Sequence, residues 1–275
     1  MSAITAEGVR PRKKTSPRKR AQRIRIVQYG VLVLLVLLGI LFIDGRQVSQ
    51  VFFRPDMISK ALKEGLPLAF ANTLAFTGGA FVIGLLLGTV LALMRLSQIA
   101  PYRWLSVIYI EFFRGLPALI VLMAFSLMPL ALPGLRIPLD PYGTVWIGLG
   151  LVSSAYMAET IRAGIQAVPK GQVEAARSLG MPSGMATRRI VLPQAFRIVT
   201  PPLTNEFVAL TKDSSLVYVI GLTATSFDLT KYGRALSNTY ANITPLVVAG
   251  LSYLVITLPL TFLVRRMEAR QAKSK

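Results

Sequence analysis

The segment EAARSLGMPSGMATRRIVLP, residues 174–193, is polar and helical in pattern, yet it lies between segments apolar enough to cross a bilayer. A first helix is predicted up to Leu179, because Gly180 follows where a helix would end in a left-handed cap. A second helix is predicted from Pro182, which suits a first helical turn. Three apolar residues of the first half share one helical stripe: Val173, Ala176 and Leu179. The segment therefore predicts a helical hairpin that serves as a docking surface at one membrane face.

The composition predicts an all-α, polytopic membrane protein. The chain has 275 residues, 53% of them hydrophobic, and a mean hydropathy of +0.56, which is too apolar for a soluble domain of this length. It contains no cysteine and no histidine, which excludes disulfide scaffolds, Cys/His metal sites, thiol nucleophiles and histidine proton relays. The net charge of +19 gathers in the ends and loops beside apolar runs, so we expect no nucleic-acid partner.

Six transmembrane helices are predicted, since a bilayer core needs about 20 mostly apolar residues per helix. They cover about 27–43, 67–94, 104–128, 142–164, 198–222 and 244–264. The third, fourth and fifth contain acidic residues and are weaker candidates, but the docking hairpin requires a span on either side. A cleaved signal peptide is the alternative for the first, and it is disfavoured because no small-x-small cleavage site follows Ile43.

Two segments between the spans are predicted to lie outside. The linker 44–66 is expected to form a short amphipathic helix on the outer surface, with Met57, Ile58, Ala61 and Leu62 together. The stretch 129–143 is rich in Pro and Gly and is expected to be an outer loop or a shielded re-entrant segment.

The distribution of Lys and Arg predicts that both termini and the docking hairpin face the cytoplasm. Most basic residues fall in the amino-terminal arm, the loop 95–103, the hairpin and the carboxy-terminal tail, although the linker 44–66 is a mild exception. The predicted organisation is a basic cytoplasmic arm, an amino-terminal helix with its external linker, a transmembrane domain containing the loop 169–193, and a cytoplasmic tail. Their ranges are 1–25, 26–66, 67–266 and 267–275.

The spacing Glu174-Ala175-Ala176, Gly180, Ile190 and Leu192-Pro193 resembles the EAA loop in the membrane subunits of ATP-driven bacterial (ABC) importers. Between about 71 and 266, the motifs IEFFRG and AETIRAGIQAVPKGQ resemble the polar amino-acid permease branch of that family. The resemblance implies a five-helix permease core, here with one added amino-terminal helix, in a bacterial inner membrane. It also implies that the loop couples the permease to a separate ATPase.

The resemblance further implies an assembly with ABC ATPase subunits, an extracytoplasmic solute-binding protein and a second permease subunit, either a copy of this chain or a related one. The cargo would be an amino acid. No GxxxxGKS or GxxxxGKT sequence is present to cradle phosphate, so ATP hydrolysis is expected in the separate subunit. The chain itself is predicted to be no enzyme, with no cofactor, metal site or catalytic residue.

Two groups of candidate functional residues follow. The ATPase-coupling group is Glu174, Ala175, Ala176, Gly180, Ile190, Leu192, Pro193, Arg177, Arg188 and Arg189. For Glu174 an ordinary exposed helical acid remains the alternative. The candidate translocation-path group is Glu111, Glu159, Asn205, Glu206 and Asp213, because charges within spans should face protein or a water-filled path.

Structural roles are the alternative for the second group. Glu111 with Arg114, and Glu159 with Arg162, are each three apart and can form same-face ion pairs; bracing of the helices is favoured for the latter. The polar residues of the fifth span can line a path, or they can bond to neighbouring helices. Gly84 and Gly88 form a small-xxx-small pair that predicts close helix packing within the subunit.

Two other function classes remain as alternatives. An ion- or proton-coupled secondary amino-acid transporter would use Glu111, Glu159 or Glu206 as its coupling site, but the internal repeat that such carriers often have is not found. A structural anchor or receptor would act through the basic arm, which is more simply an inner-leaflet tether.

Overall fold

The computed structural model describes residues 17–134 and 136–272. Every regular element in those two ranges is helical, which confirms the all-α prediction. The α-helices, in chain order, are α1 Pro17–Phe42, α2 Gly45–Phe52, α3 Pro55–Lys63, α4 Leu66–Leu96, α5 Ala100–Gly115, α6 Ala118–Ala131, α7 Tyr142–Gln166, α8 Lys170–Ser178, α9 Ser183–Ala186, α10 Leu192–Asp213, α11 Leu229–Tyr240 and α12 Thr244–Ala272. The first sixteen residues of the predicted basic arm, Leu135 of the predicted outer loop and the last three residues of the predicted tail lie outside the described residues.

The chain divides into two units, the first ending at Val51 and the second beginning at Phe52. The described part of the first unit consists of α1 and most of α2. Within α1, Arg20–Phe42 is long and apolar enough to cross a membrane, in agreement with the first predicted span. The Asp44 carboxylate accepts hydrogen bonds from the backbone N–H groups of Arg46 and Gln47, so it caps the start of α2.

The second unit is organised around the packing of α4 against α7. Both helices present glycines at the contact, which lets the two backbones approach closely. A Cβ atom added at Gly84 would stand 2.3 Å from Ser153 Oγ, and one at Gly88 would stand 2.9 Å from the backbone oxygen of Ser154. A Cβ atom added at Gly150 of α7 would likewise stand 2.8 Å from Ile83 of α4. The prediction that Gly84 and Gly88 serve packing within the subunit is confirmed.

The membrane spans agree with the sequence prediction at α4 and α12, and the predicted third span is broken. Leu66–Leu96 and Thr244–Gln271 are each long and apolar enough to cross a membrane, whereas α5 and α6 meet that test only as a pair bent by 101°. The prediction of one continuous helix over 104–128 was therefore wrong. The break follows from Pro117, which disfavours helical geometry at Leu116; Leu116 is extended, with φ −95° and ψ 137°.

The predicted fourth and fifth spans correspond to α7 and α10. Because of their polar residues, neither helix is apolar enough by composition alone to count as a membrane span. Both are nevertheless long enough to cross a bilayer, since 25 and 22 residues at 1.5 Å per residue reach about 30 Å or more. The fifth span was predicted to reach residue 222, but α10 ends at Asp213 and tightens into the 3₁₀-helix Ser214–Val219. Ser214 Oγ donates to the backbone oxygen of Thr211 at 2.7 Å, and such local bonds compete with a regular helix.

Helix α10 continues through Pro201 and Pro202. A proline inside a helix frees the carbonyl four residues earlier, which for Pro201 is that of Arg197. The side-chain amide of Gln271, near the end of α12, donates to that oxygen. The end of α12 is thereby fastened to the first turns of α10, next to the hairpin.

The helix predicted within the linker 44–66 is present as α3, but its environment differs from the prediction. Met57 and Ala61 are buried against protein, since α3 packs on α12 and α4. Tyr232 of α11 donates from its hydroxyl to the backbone oxygen of Ala61 at 2.6 Å. The apolar face of α3 is therefore largely covered by neighbouring helices, and Leu62 at its edge stays exposed.

The connection from α10 to α11 is held against α4 by one buried amide. Asn72 of α4 donates from Nδ2 to the backbone oxygens of Thr225 and Phe227 at 2.9 and 3.0 Å. Its Oδ1 accepts from the hydroxyl of Tyr142 at the start of α7, at 2.7 Å. One side chain thus joins α4, the α10–α11 connection and the start of α7.

Candidate functional site

The predicted helical hairpin is present, and its turn has the geometry expected from the sequence. Helix α8 begins after Pro169 and ends at Ser178. Gly180 adopts a φ of +83°, a left-handed conformation that glycine takes without steric cost. The N–H of Gly180 bonds to the oxygen of Arg177 at 2.9 Å, and the N–H of Met181 bonds to that of Ala176 at 3.1 Å. These bonds satisfy carbonyls that the end of α8 would otherwise leave free.

The second half of the hairpin passes without interruption into the following span. Helix α9 is one turn long, a π-helical turn covers Thr187–Val191, and α10 starts directly at Leu192. A displacement of the hairpin would therefore be carried along α10. On the other side, only residues 167–169 separate α7 from α8, so the hairpin is connected closely to both interior helices.

The inner side of the hairpin is held by a small apolar cluster and one amide pair. Val168, Val191 and Ala195 are buried together, with Val173 packed against them. Ala176 is also buried. Gln194 Nε2 donates to Gln172 Oε1 at 2.6 Å, which joins α8 to the first turn of α10.

The stripe predicted for the first helix is correct for two of its three residues. Val173 and Ala176 face inward, but Leu179 is 89% exposed, so its assignment to the packed stripe was wrong. Leu179 follows the last residue of α8 and has left helical geometry, and helical periodicity no longer applies to it. An exposed leucine at the tip adds apolar surface to the hairpin.

Most of the other predicted coupling residues lie on the outer side of the hairpin. Ile190 is partly buried, Ala176 is buried, and the following members of the group are exposed: Glu174, Ala175, Arg177, Gly180, Arg188, Arg189, Leu192 and Pro193. A groove of about 530 Å³ runs along α8, with Val173 and Val191 in its lining and Lys170, Glu174 and Arg177 beside them. Between residues 169 and 193, Glu174 is the single acid among four basic residues. The surface is positively charged and suited to an acidic partner surface.

Of the five predicted path residues, the structure brings two together. Glu206 and Asp213 lie two turns apart on α10 and line a pocket of about 30 Å³ with Ser153 and Tyr156 of α7. This volume holds about one water molecule. Asn205 is exposed on α10 and does not line that pocket.

Glu111 and Glu159 lie elsewhere. Glu111 is exposed on α5, and in the described ranges it has no ion pair with Arg114. The guanidinium of Arg114 instead lies 5.7 Å from the centre of the Tyr156 ring. The pair of Glu111 with Arg114 that the spacing predicted is therefore not formed.

The predicted pair of Glu159 with Arg162 is formed and has a third member. Arg162 Nη2 lies 2.6 Å from Glu159 Oε2, and Arg95 Nε of α4 lies 3.4 Å from Glu159 Oε1. Sequence reasoning missed Arg95, because its contact with Glu159 depends on how α4 and α7 align. It also missed Ser153 and Tyr156, which lie just before the AETIRAG segment.

These features define a class: a polytopic α-helical membrane protein in which two interior helices of polar content are joined by a basic helical hairpin. Residues 80–273 match the family described as binding-protein-dependent transport system inner membrane component. The match covers most of the chain, so the chain belongs to this family, and the resemblance found in the sequence is confirmed. It is a membrane transport component of the inner membrane and not an enzyme.

Similar proteins are of the same kind. The arginine transport system permease protein ArtQ of Bacillus subtilis (strain 168) is 41% identical over 204 residues, which cover 74% of this chain and 90% of that one. The probable glutamine ABC transporter permease protein GlnM of the same organism is 38% identical over 206 residues, covering 74% and 92%. A solved structure described as an amino acid ABC transporter with histidines matches with a TM-score of 0.65 and 39% identity, over 76% of this chain and 96% of that one.

Proposed function

We propose that this chain is the permease subunit of an ATP-driven, binding-protein-dependent importer of amino acids. The observation that carries the proposal is the exposed hairpin at residues 169–193, joined almost directly to two interior helices in a chain whose similar proteins are named as amino-acid permeases. The permease core would be 67–266, with the arm 1–25, the amino-terminal helix and linker 26–66, and the tail 267–275 as additions to it. A secondary transporter driven by ions or protons is the disfavoured alternative.

We infer that the hairpin end of the protein, with both termini, faces the cytoplasm. The end of α4 contacts α7 near its end through Arg95, and the end of α12 contacts the start of α10 through Gln271. These helix ends share one side with the hairpin. That side also carries many arginines, among them Arg162, Arg188 and Arg265, in agreement with the preference of positive charge for the cytoplasmic side.

The proposed role of the hairpin is to dock into an ABC ATPase subunit. Arg177, Arg188 and Arg189 would meet acidic groups of the ATPase, Glu174 would accept hydrogen bonds from it, and the Gly180 turn would hold both short helices in one docking unit. ATP binding would move two such hairpins together, one from this chain and one from a second permease subunit. Because α7 and α10 are joined almost directly to the hairpin, the movement would shift the population between inward-facing and outward-facing packings.

The proposed cargo path passes the pocket of α10, which at about 30 Å³ is too small for an amino acid and would have to open during transport. Glu206 and Asp213 offer two carboxylates, and an amino acid always carries an ammonium group that a carboxylate can bind. Two acids in one pocket favour a cationic amino acid as cargo. Asn205 is exposed on α10, and its role in the path, like the roles of Glu111 and Glu159, stays a prediction. An extracytoplasmic solute-binding protein would deliver the ligand and set much of the selectivity.

A reconstitution experiment tests the function. The chain is purified with its ATPase and binding protein, placed in liposomes, and supplied with ATP inside and a labelled amino acid outside. Uptake should require ATP and should persist when a protonophore removes the proton gradient. Uptake that follows the gradient and ignores the ATPase would establish the secondary transporter instead.

The orientation has a separate test, which the absence of native cysteine makes simple. Ala175 is exposed on α8, so a cysteine in its place should react with a membrane-impermeant thiol reagent only in inverted vesicles. Labelling in intact cells would place the hairpin outside and refute the docking role.

A further inference from the structure

A continuous line of polar contacts connects the end of α4 with the end of α7. Arg95 Nε, in the last turns of α4, lies 3.4 Å from Glu159 Oε1, and Arg162 Nη2 lies 2.6 Å from Glu159 Oε2. The other terminal nitrogen of Arg162 donates to Gln166 Oε1 at 2.8 Å. Gln166 is the last residue of α7 and lies in the lining of the groove beside α8. The line of contacts therefore ends at the docking hairpin.

Stability alone is a weak reason for this line. The α4–α7 contact is already tight through Gly84, Gly88 and Gly150. Arg95 and Glu159 are partly removed from solvent, with side-chain exposures of 25% and 23%, and an ion pair in such a place gains little over the cost of desolvating its charges. The connection of these contacts to the groove beside α8 explains them better than the stability they add.

The contact to Arg95 is also the looser half of the arrangement. Arg95 Nη1 and Glu159 Oε1 are buried and have no hydrogen-bond partner in the described part of the chain, whereas Glu159 Oε2 accepts two bonds from Arg162. Two hydrogen bonds thus hold Glu159 to Arg162 of α7, whereas only charge attraction links it to Arg95 of α4. A small shift of the α7 end can tighten or part that contact, as expected where two packings alternate.

We propose that Glu159 is a positioning residue for energy coupling, through which the end of α4 follows the end of α7 when a partner displaces α8. This inference rests on the proposed function. Arg162 and Gln166 keep Glu159 in register with the hairpin, and Arg95 transmits the displacement to α4. Without the Glu159 carboxylate, the ATPase would still turn over, but part of each displacement would be lost between α4 and α7.

The test measures amino acid taken up per ATP hydrolysed by the whole complex in liposomes. The variants are Glu159→Gln, Arg95→Gln and the two together, with Glu268→Gln as the matched control. Glu268 is exposed on α12 and has no ion pair among the described residues. Uptake per ATP should fall about five-fold or more in each single variant, and the double variant should fall no further, because both changes break the same contact. The control should keep the wild-type ratio.

The outcomes separate coupling from bracing. A lower amount of assembled complex with an unchanged ratio, or losses that add up in the double variant, would overturn the inference. If Glu159→Gln does not accumulate, Gln166→Ala at the exposed end of the line replaces it, and an unchanged ratio there would overturn the inference equally. A wild-type complex that hydrolyses ATP without uptake would refute the proposed function itself, whereas normal wild-type coupling beside normal variants would refute only the role of Glu159.

Discussion

Replacing Gly88 with alanine should weaken the α4–α7 contact measurably. The added Cβ would stand 2.9 Å from both the Cβ of Met157 and the backbone oxygen of Ser154, and 3.2 Å from the backbone nitrogen of Ala158. Favourable contacts between heavy atoms lie at about 3.5–4.0 Å, so the helices must separate by about 0.6–1 Å. Two of the three obstructing atoms are backbone atoms and cannot rotate away.

The expected cost follows from that geometry. Overpacking of a close contact costs about 1–3 kcal/mol, and separating the helices would also strain the nearby contact of Gly84 with Ser153. Gly78→Ala is the matched control, because it lies on the same helix and a Cβ there meets nothing within 4 Å. Alanine is the better helix former by about 1 kcal/mol, so the control should be neutral or slightly stabilising.

The assay is thermal unfolding of the purified variants in one detergent, with the amount of monodisperse protein after heating as the measure. Gly88→Ala should unfold at a lower temperature than the wild type, and Gly78→Ala should not. Equal behaviour of the two variants would refute the idea that the missing side chain at Gly88 is what allows α4 and α7 to approach. A selective loss at Gly78 would contradict it more strongly still.

Three further predictions concern the pocket, the α10–α11 connection and the hairpin turn. Glu206→Ala and Asp213→Ala should each impair uptake without lowering the amount of protein in the membrane; normal uptake by both, measured in liposomes, would exclude them from the path. Asn72→Ala should lower the free energy of unfolding by about 1–3 kcal/mol, since it removes three partly buried hydrogen bonds, to Thr225, Phe227 and Tyr142, and an unchanged unfolding temperature would contradict this. Gly180→Ala should cost about 1–2 kcal/mol, because an L-residue is strained at a φ of +83°; limited proteolysis of the hairpin measures it, and Gly171→Ala, with free space around it, should show no added cleavage.

The local parts of the hairpin could be predicted because their signals lie within a few residues of one another. Gly180 ends α8 and Pro182 precedes α9, in each case through steric rules that act on neighbouring residues. The helix break at Leu116 and Pro117 could also be predicted from neighbouring residues, because proline disfavours helical geometry at the residue before it. A hydropathy average over 104–128 does not contain that signal. Leu179 was assigned wrongly because helical periodicity was extended one residue beyond the helix.

The partners of the in-span charges could be predicted only where both members lie on one helix. Glu159 with Arg162 is such a case. Arg95 lies 64 positions before Glu159 in the chain, so no pattern of neighbouring residues predicts their contact. Glu111 and Arg114 have the same spacing as the first pair, yet Arg114 lies against Tyr156, because a neighbouring helix offers a competing contact.

The sequence by itself determined that this is a helical membrane protein, where its polar hairpin begins and turns, and which importer family it resembles, because hydropathy, turn chemistry and motif spacing are local or additive properties. Only the tertiary structure decided that Glu206 and Asp213 share a pocket with residues of α7, that Asn72 joins three segments, and that Arg95 completes the Glu159 contact. Those arrangements depend on the close approach of α4 and α7, which is set by packing between helices distant in the chain.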